Sequence, residues 1–334
     1  VAYPFAPVSG DAIGGAEQVL ASLDAALVAA GHRSIVIAAA GSRVAGDLIA
    51  VPAPPGAIDE PARARTHAAV RRAVAAAPPA DLVHLHGIDC AAYLPPPGPP
   101  ALITLHLPPD WYPPAMFAPT RPRTWLHGVS TTQHARCPPS RHLLAPIGNG
   151  VPLRDLAQAR HARRSFALVL GRICPEKGQH LALAAAHAAG VPLLLAGAVY
   201  PYPAHRAYAE AEVTPRLDGL RRWIGPAGFA RKRRLLSAAR CVLIPSLAAE
   251  TSSLVAMEAA ACGTPVIAFP NGALPEIVRD GITGFLVPDT ATMAAAIRHA
   301  GEIDPAACRR EAAARFDARD MAAAYLDRYQ RLAA

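Results

Sequence analysis

Short apolar runs alternate with amphipathic helical stretches along nearly all of the 334 residues, and this alternation is the strongest constraint on the fold. Strands joined through helices pair in parallel, and parallel sheets need cover on both faces. The apolar runs predict strands at 1–3, 34–39, 82–86, 101–105 and 128–130 in the first half. In the second half they fall at 166–170, 191–196, 223–225, 241–245, 265–268 and 284–287. A break is expected within 150–162, after Gly148-Asn149-Gly150, giving an N-terminal domain over 1–155 and a C-terminal one over 156–316. The length suits two domains, each with its own core. Met321, Ala324, Tyr325 and Tyr329 set the period of a closing helix over 317–332.

The chemistry is expected where Glu250 and Glu258 stand eight positions apart, after the strand ending at Pro245. Residues 252–261 read as a helix, so Thr251, Ser252, Ser253 and Leu254 lie at its N-terminus, where unpaired N–H groups suit an anion. Upstream, an apolar strand runs into Gly171-Arg172 and then Glu176-Lys177-Gly178. Arg172 can hold a diphosphate in a fork and Lys177 as a point charge. Near the start, Gly14 and Gly15 precede an amphipathic helix, and paired glycines let backbone approach a ligand closely. Taken singly, each of these has an ordinary reading as surface charge or plain loop.

Together they resemble glycosyltransferase family 4, retaining nucleotide-sugar transferases of the GT-B fold. The most specific stretch is Glu250 to Val287, with both glutamates, Ala261-Cys262-Gly263-Thr264-Pro265, Gly272-Ala273-Leu274-Pro275-Glu276 and Gly281-Ile282-Thr283-Gly284. Gly14-Gly15-Ala16-Glu17, Val83-His84-Leu85-His86, Thr104-Leu105-His106, Gly148-Asn149-Gly150 and Gly171-Arg172 with Lys177-Gly178 also look like the family. One departure is Thr251-Ser252-Ser253, where many members carry Pro-Phe-Gly.

The resemblance implies an α/β fold of two Rossmann-like, doubly wound parallel-sheet domains facing each other across a cleft, with the final helix (317–334) packing back on the first. It implies a hexosyltransferase that moves a sugar from a UDP-sugar first, or GDP-mannose next, to a hydroxyl of a glycan, lipid or small metabolite. Glu250 would face the sugar, Glu258 the donor ribose, Arg172 and Lys177 the diphosphate, and Gly14 and Gly15 the same phosphates. His106 would lie near the anomeric carbon. Gly225 and Pro226 would meet the base, and His86 and Tyr112 the acceptor.

Composition narrows the alternatives. The net charge of +8 suits anionic substrates. Arginines around Arg231-Lys232-Arg233-Arg234 leave room for peripheral contact with an acidic membrane, but aromatics are 5% of the chain and do not interleave with them, which argues against nucleic acid. No apolar stretch reaches the ~18 residues of a spanning helix, and no leader is recognisable at Val1, so a cytoplasmic enzyme is expected. Six scattered cysteines without a Cys-x-x-Cys pair read as reduced thiols; His134 and Cys137 find no second pair, and no metal or cofactor is expected. Three rivals share the architecture: a nucleotide-sugar binding protein without turnover, a sugar-nucleotide epimerase, and an NAD-dependent oxidoreductase, whose Gly-x-Gly-x-x-Gly fingerprint is missing after the first strand.

Overall fold

The computed structural model describes every residue except 54, 55, 57 and 158–160, so part of the stretch 150–162 expected to hold the domain break lies outside the described residues. The chain divides into two compact units, one formed by Val1–Asn149 with Arg319–Ala334 and the other by Gly150–Ala318. Among the described residues, no helix is long and apolar enough to cross a membrane.

In chain order the first unit contains α1 (Gly15–Ala29), β1 (Ile35–Ala39), β2 (Asp47–Val51), α2 (Glu60–Ala76), β3 (Val83–Leu85), β4 (Ala101–Thr104), β5 (Thr124–His127), α3 (Thr131–Arg136) and β6 (Leu143–Leu144). The strands form a two-stranded sheet, β1-β2, and a four-stranded one, β3-β4-β5-β6, all pairs parallel. Residues 1–3, predicted as a strand, instead make one bond toward β1, where Ala2 N–H donates to Ile37 O at 2.9 Å, and two toward β3 from Val1 alone, whose amino group donates to His84 O at 2.6 Å and whose carbonyl accepts from His86 N–H at 3.0 Å. Pro4, with no N–H, cannot extend the ladder. The strand predicted at 128–130 lies earlier, at Thr124–His127; 128–130 is the turn into α3, where Ser130 Oγ accepts from Gln133 N–H at 3.1 Å. β2 escaped prediction because it is an edge strand with only Val51 buried.

The second unit contains α4 (Leu153–Ala157), β7 (Ala167–Leu170), α5 (Gln179–Ala189), β8 (Leu193–Ala196), α6 (Pro203–Tyr208), β9 (Arg221–Trp223), α7 (Phe229–Ala238), β10 (Cys241–Ile244), α8 (Leu254–Ala261), β11 (Val266–Ala268), α9 (Leu274–Ile277), β12 (Gly284–Leu286), α10 (Thr290–His299) and α11 (Pro305–Arg315). α12 (Ala318–Ala333) joins the first unit from Arg319 onward. The six strands run in the order β12-β11-β10-β7-β8-β9, all parallel. Their alternation explains the burial. Leu168, Val242, Ile244, Val266 and Ala268 enter one core cluster, while Ala167, Val169, Cys241, Leu243 and Ile267 enter the other. Both faces are covered, so the strands read as continuous apolar runs. The chain builds β7-β8-β9 outward and then returns to place β10 on the other side of β7. In open parallel sheets such a reversal, here at the carboxyl ends of β7 and β10, is where a ligand crevice forms.

The first unit has an unusual polar interior. His84 lies 2.6 Å from Tyr329 Oη through Nδ1 and 2.7 Å from Thr104 Oγ1 through Nε2, and Thr104 Oγ1 is 2.7 Å from His127 Nε2. His86 Nδ1 and His106 Nε2 are 2.9 Å apart. These contacts tie α12 to β3, β4 and β5. Burial holds all four imidazoles neutral: His84 and His86 titrate well below the usual range, with neighbouring histidines adding to the effect, His106 at about 4 and His127 at about 3. Once unfolded, each binds a proton below about pH 6.5. Between there and the folded values the unfolded chain holds more protons, so stability falls with falling pH, by about 1.4 kcal/mol per pH unit for each histidine kept neutral. Urea midpoints at pH 7.5 and pH 5 should therefore differ clearly, the acid value being lower; equal midpoints would contradict this origin of stability.

Candidate functional site

The crevice is built by two turns that lock together. After β7 the chain passes Gly171-Arg172 and a one-turn 3-10 helix, Pro175–Lys177, before α5. After β10 it passes Ser246 to Ser253 before α8. The Glu176 carbonyl accepts the Leu247 and Ala248 N–H groups at 2.8 and 3.2 Å, and Asn271 Nδ2 donates to Leu247 O at 2.7 Å. Gly178 permits this closeness, and Gly272, in the loop after β11, lets that loop approach the second turn. Gly178 has φ +62°, and any Cβ there would collide with Pro245 O; Gly272 has φ +66°, and its Cβ would enter the Glu250 backbone.

On this frame Lys177 Nζ donates to Glu250 Oε1 at 2.6 Å, and Ser246 Oγ donates to the same oxygen. The Glu250 side chain is 9% exposed and that of Lys177 36%, so the cation is the member that can leave for another anion. The Arg172 guanidinium packs over the Tyr200 ring at 5.2 Å, while its carbonyl accepts from Gln179 Nε2 at 2.8 Å. Thr251 and Ser253 are buried, and Ser253 Oγ caps α8 by accepting Ala256 N–H at 3.3 Å. Ser252 Oγ is buried with no hydrogen-bond partner. Leu254 opens α8, so the helix N-terminus directly follows the turn after β10. At the end of β9, Gly225 O accepts from Gly197 N–H at 3.0 Å, and Pro226 O is 3.5 Å from Arg231 Nη1.

Glu258, on the second turn of α8, is 2% exposed and accepts from Lys232 Nζ on α7 at 2.5 Å. Sequence reasoning missed Lys232 because it stands inside Arg231-Lys232-Arg233-Arg234, which reads as a solvated basic run. The available signal was its register: Lys232 shares the inward face of α7 with Phe229 and Leu236, and a cation on an inward face requires a partner.

The remaining predicted residues belong to the first unit. Gly14 caps α1, and the Glu17 carboxylate folds back over it, so an anion approaching Gly14 and Gly15 must contend with a buried acid. His106 follows β4. Its loop is held by Gln133 Nε2, which donates to Leu105 O and Leu107 O at 2.8 and 2.9 Å, and by Tyr112 Oη, which accepts the His106 and Leu107 N–H groups at 3.0 and 3.3 Å. Tyr112 is 4% exposed and braces this loop. His86 is buried, with Nε2 lacking a partner.

The Lys232–Glu258 pair gives a direct test of the local energetics. Removing one member of a buried ion pair costs about 3–5 kcal/mol, whereas replacing both by apolar groups can be neutral. Lys232→Met should thus lower the thermal midpoint strongly, and the Lys232→Met/Glu258→Leu double variant should recover most of the loss. Equal destabilisation by the single and double variants would show that the two side chains are not coupled.

Comparison with known proteins shows what the chain is similar to. Residues 13–165 match the family described as Glycosyltransferase Family 4, and residues 164–302 match Glycosyl transferases group 1. A 125-residue stretch is 39% identical to D-inositol 3-phosphate glycosyltransferase of Mycobacterium tuberculosis, covering 35% of this chain but only 25% of that relative's length. Among solved structures, AviGT4, a glycosyltransferase involved in avilamycin A biosynthesis, superposes with TM-score 0.70 at 26% identity, covering 99% of this chain and 96% of that one. Sucrose-phosphate synthase from Thermosynechococcus elongatus gives TM-score 0.75 at 23% identity, and Anabaena HepE, solved with UDP-glucose, 0.75 at 18%; each covers 99% of both chains. With parallel-sheet units of the GT-B class and family matches running in succession from residue 13 to 302, the chain belongs to glycosyltransferase family 4.

Proposed function

We propose that the chain is a retaining hexosyltransferase that takes its sugar from a nucleoside diphosphate donor bound at the crevice between β7 and β10. The observation that carries this reading is the Lys177–Glu250 pair at 2.6 Å. A diphosphate entering the crevice competes for Lys177, and as the cation turns to phosphate it releases Glu250 to accept hydrogen bonds from the sugar hydroxyls. Arg172 and the first N–H groups of α8 supply further positive potential for the leaving group. Glu258, held by Lys232 through one oxygen, offers the other to the donor ribose. No divalent ion is required in this scheme, because fixed cations and a helix terminus neutralise the developing charge.

Transfer with retention follows a front-face course. The bond from the anomeric carbon to the β-phosphate oxygen breaks as that carbon bonds the acceptor oxygen on the same face, and the departing phosphate takes the acceptor's proton. Glu250 positions the sugar and is not a nucleophile; His106 orients the sugar or the acceptor. UDP-hexose is the donor we favour, in line with the UDP-glucose bound by HepE, and GDP-mannose ranks second. The acceptor is a hydroxyl compound; the inositol phosphate named for the mycobacterial relatives and the net charge of +8 both agree with an anionic one.

Calorimetric titration of UDP, GDP and ADP in EDTA tests the site. One nucleotide should bind selectively, and Lys177→Ala should weaken it at least about tenfold, or ~1.4 kcal/mol; unaltered affinity would remove Lys177 from the site. With the matching donor, Glu250→Gln should cut turnover about a hundredfold, on the order of 3 kcal/mol in the barrier, while leaving nucleotide affinity within a few fold. Full turnover in that variant would overturn the role given to Glu250.

A further inference from the structure

The turn that carries Lys177 also carries a cluster the transfer chemistry does not use. The Cys174 thiol, a Glu176 carboxylate oxygen and a His205 ring nitrogen lie within 4.8 Å of one another. Cys174 and Glu176 flank Pro175 on the turn, while His205 comes from α6, so two separate segments converge. Cys174 is fully buried, and Glu176 and His205 are half-buried, leaving an approach from solvent. His205 Nδ1 is a buried nitrogen with no hydrogen-bond partner. An ordinary buried cysteine is a small apolar group; here the thiol donates to the Arg172 carbonyl at 3.7 Å, and a carboxylate and an imidazole stand beside it.

We infer that Cys174, Glu176 and His205 form a three-ligand site for a zinc-class divalent cation. Bond lengths of about 2.0–2.3 Å around a tetrahedral zinc place its ligands roughly 3.5 Å apart, so closure needs only about 1 Å of side-chain movement. One thiolate, one imidazole and one carboxylate select zinc or cobalt over magnesium. Binding releases the thiol proton. Burial pushes the Cys174 thiol up, and the neighbouring Arg172 charge opposes that rise. Thiolate and carboxylate together match the charge of the ion.

The site goes beyond the transferase reading and does not depend on it. Its metal would stand outside the proposed reaction and act on the scaffold. It pins α6 to the turn bearing Lys177, and through the Glu176 carbonyl it steadies Leu247 and Ala248, three and two residues before Glu250.

The test uses the whole chain stripped with EDTA and then titrated with zinc by calorimetry, and with cobalt by absorbance. The expected result is one-to-one zinc binding, no response to equal magnesium, and a cobalt complex with a near-ultraviolet thiolate charge-transfer band. Cys174→Ser should abolish that band, and His205→Ala, at a half-buried position, should weaken zinc at least about tenfold. If Cys174→Ser fails to fold, His205→Ala alone decides the matter. Undiminished zinc affinity in His205→Ala, a cobalt band surviving in folded Cys174→Ser, or no zinc binding by the parent chain at tens of micromolar would each overturn the assignment.

Discussion

Two carboxylates withdrawn from water, each needing a cation, govern how the second unit is put together. A buried acid without a partner costs several kcal/mol, so Glu258 at 2% exposure commits Lys232, and the nearly buried Glu250 commits Lys177 and Ser246. The first pair joins α7 to α8 through one oxygen of Glu258, with both side chains buried. The second joins the turns after β7 and β10 and stays accessible on its lysine side. One pair therefore serves as a structural rivet, while the other can be exchanged for a ligand.

That difference arises from strand order. β10 returns to the side of β7 away from β8, so the two turns diverge in connectivity yet meet at their tips. Closeness at the meeting point requires backbone where a side chain would normally stand, hence Gly178 against Pro245, and the loop after β11 approaches the second turn in the same way through Gly272 against Glu250. The apolar alternation of β7, β10 and β11 into two core clusters holds the strand ends steady. Lys177 thus sits on a rigid frame, as the proposed stabilisation of a leaving phosphate would demand.

Legibility in the sequence followed burial. β7, β8, β10 and β11 are covered on both faces and read as uninterrupted apolar runs, and the structure places strands within them. β2 is an exposed edge and gave no such run. β5 is Thr-Trp-Leu-His, whose polar members are buried because Thr124 accepts from Arg121 and His127 from or to Thr104; pattern reading passed over it and settled on the turn that follows. Residues 1–3 lie where a strand belongs but have too few hydrogen bonds to be one. At the site, carboxylates and cations stood out through spacing along the chain. Lys232 was hidden by its charged neighbours, and the group of Cys174, Glu176 and His205 was invisible because α6 reaches the turn only in three dimensions. The same holds for the imidazole network. That His84 and His86 share a face follows from strand geometry, but their link to Tyr329, 245 residues from His84, does not.

The central claim is that Lys177 gives up Glu250 for a phosphate. A crystal structure with bound UDP, or with whichever nucleoside diphosphate binds most tightly, tests it directly. The account predicts the diphosphate at the carboxyl ends of β7 and β10, Lys177 Nζ within hydrogen-bond distance of a phosphate oxygen, and Glu250 turned toward the sugar site. A nucleotide bound elsewhere, with the Lys177–Glu250 pair still closed, would contradict it.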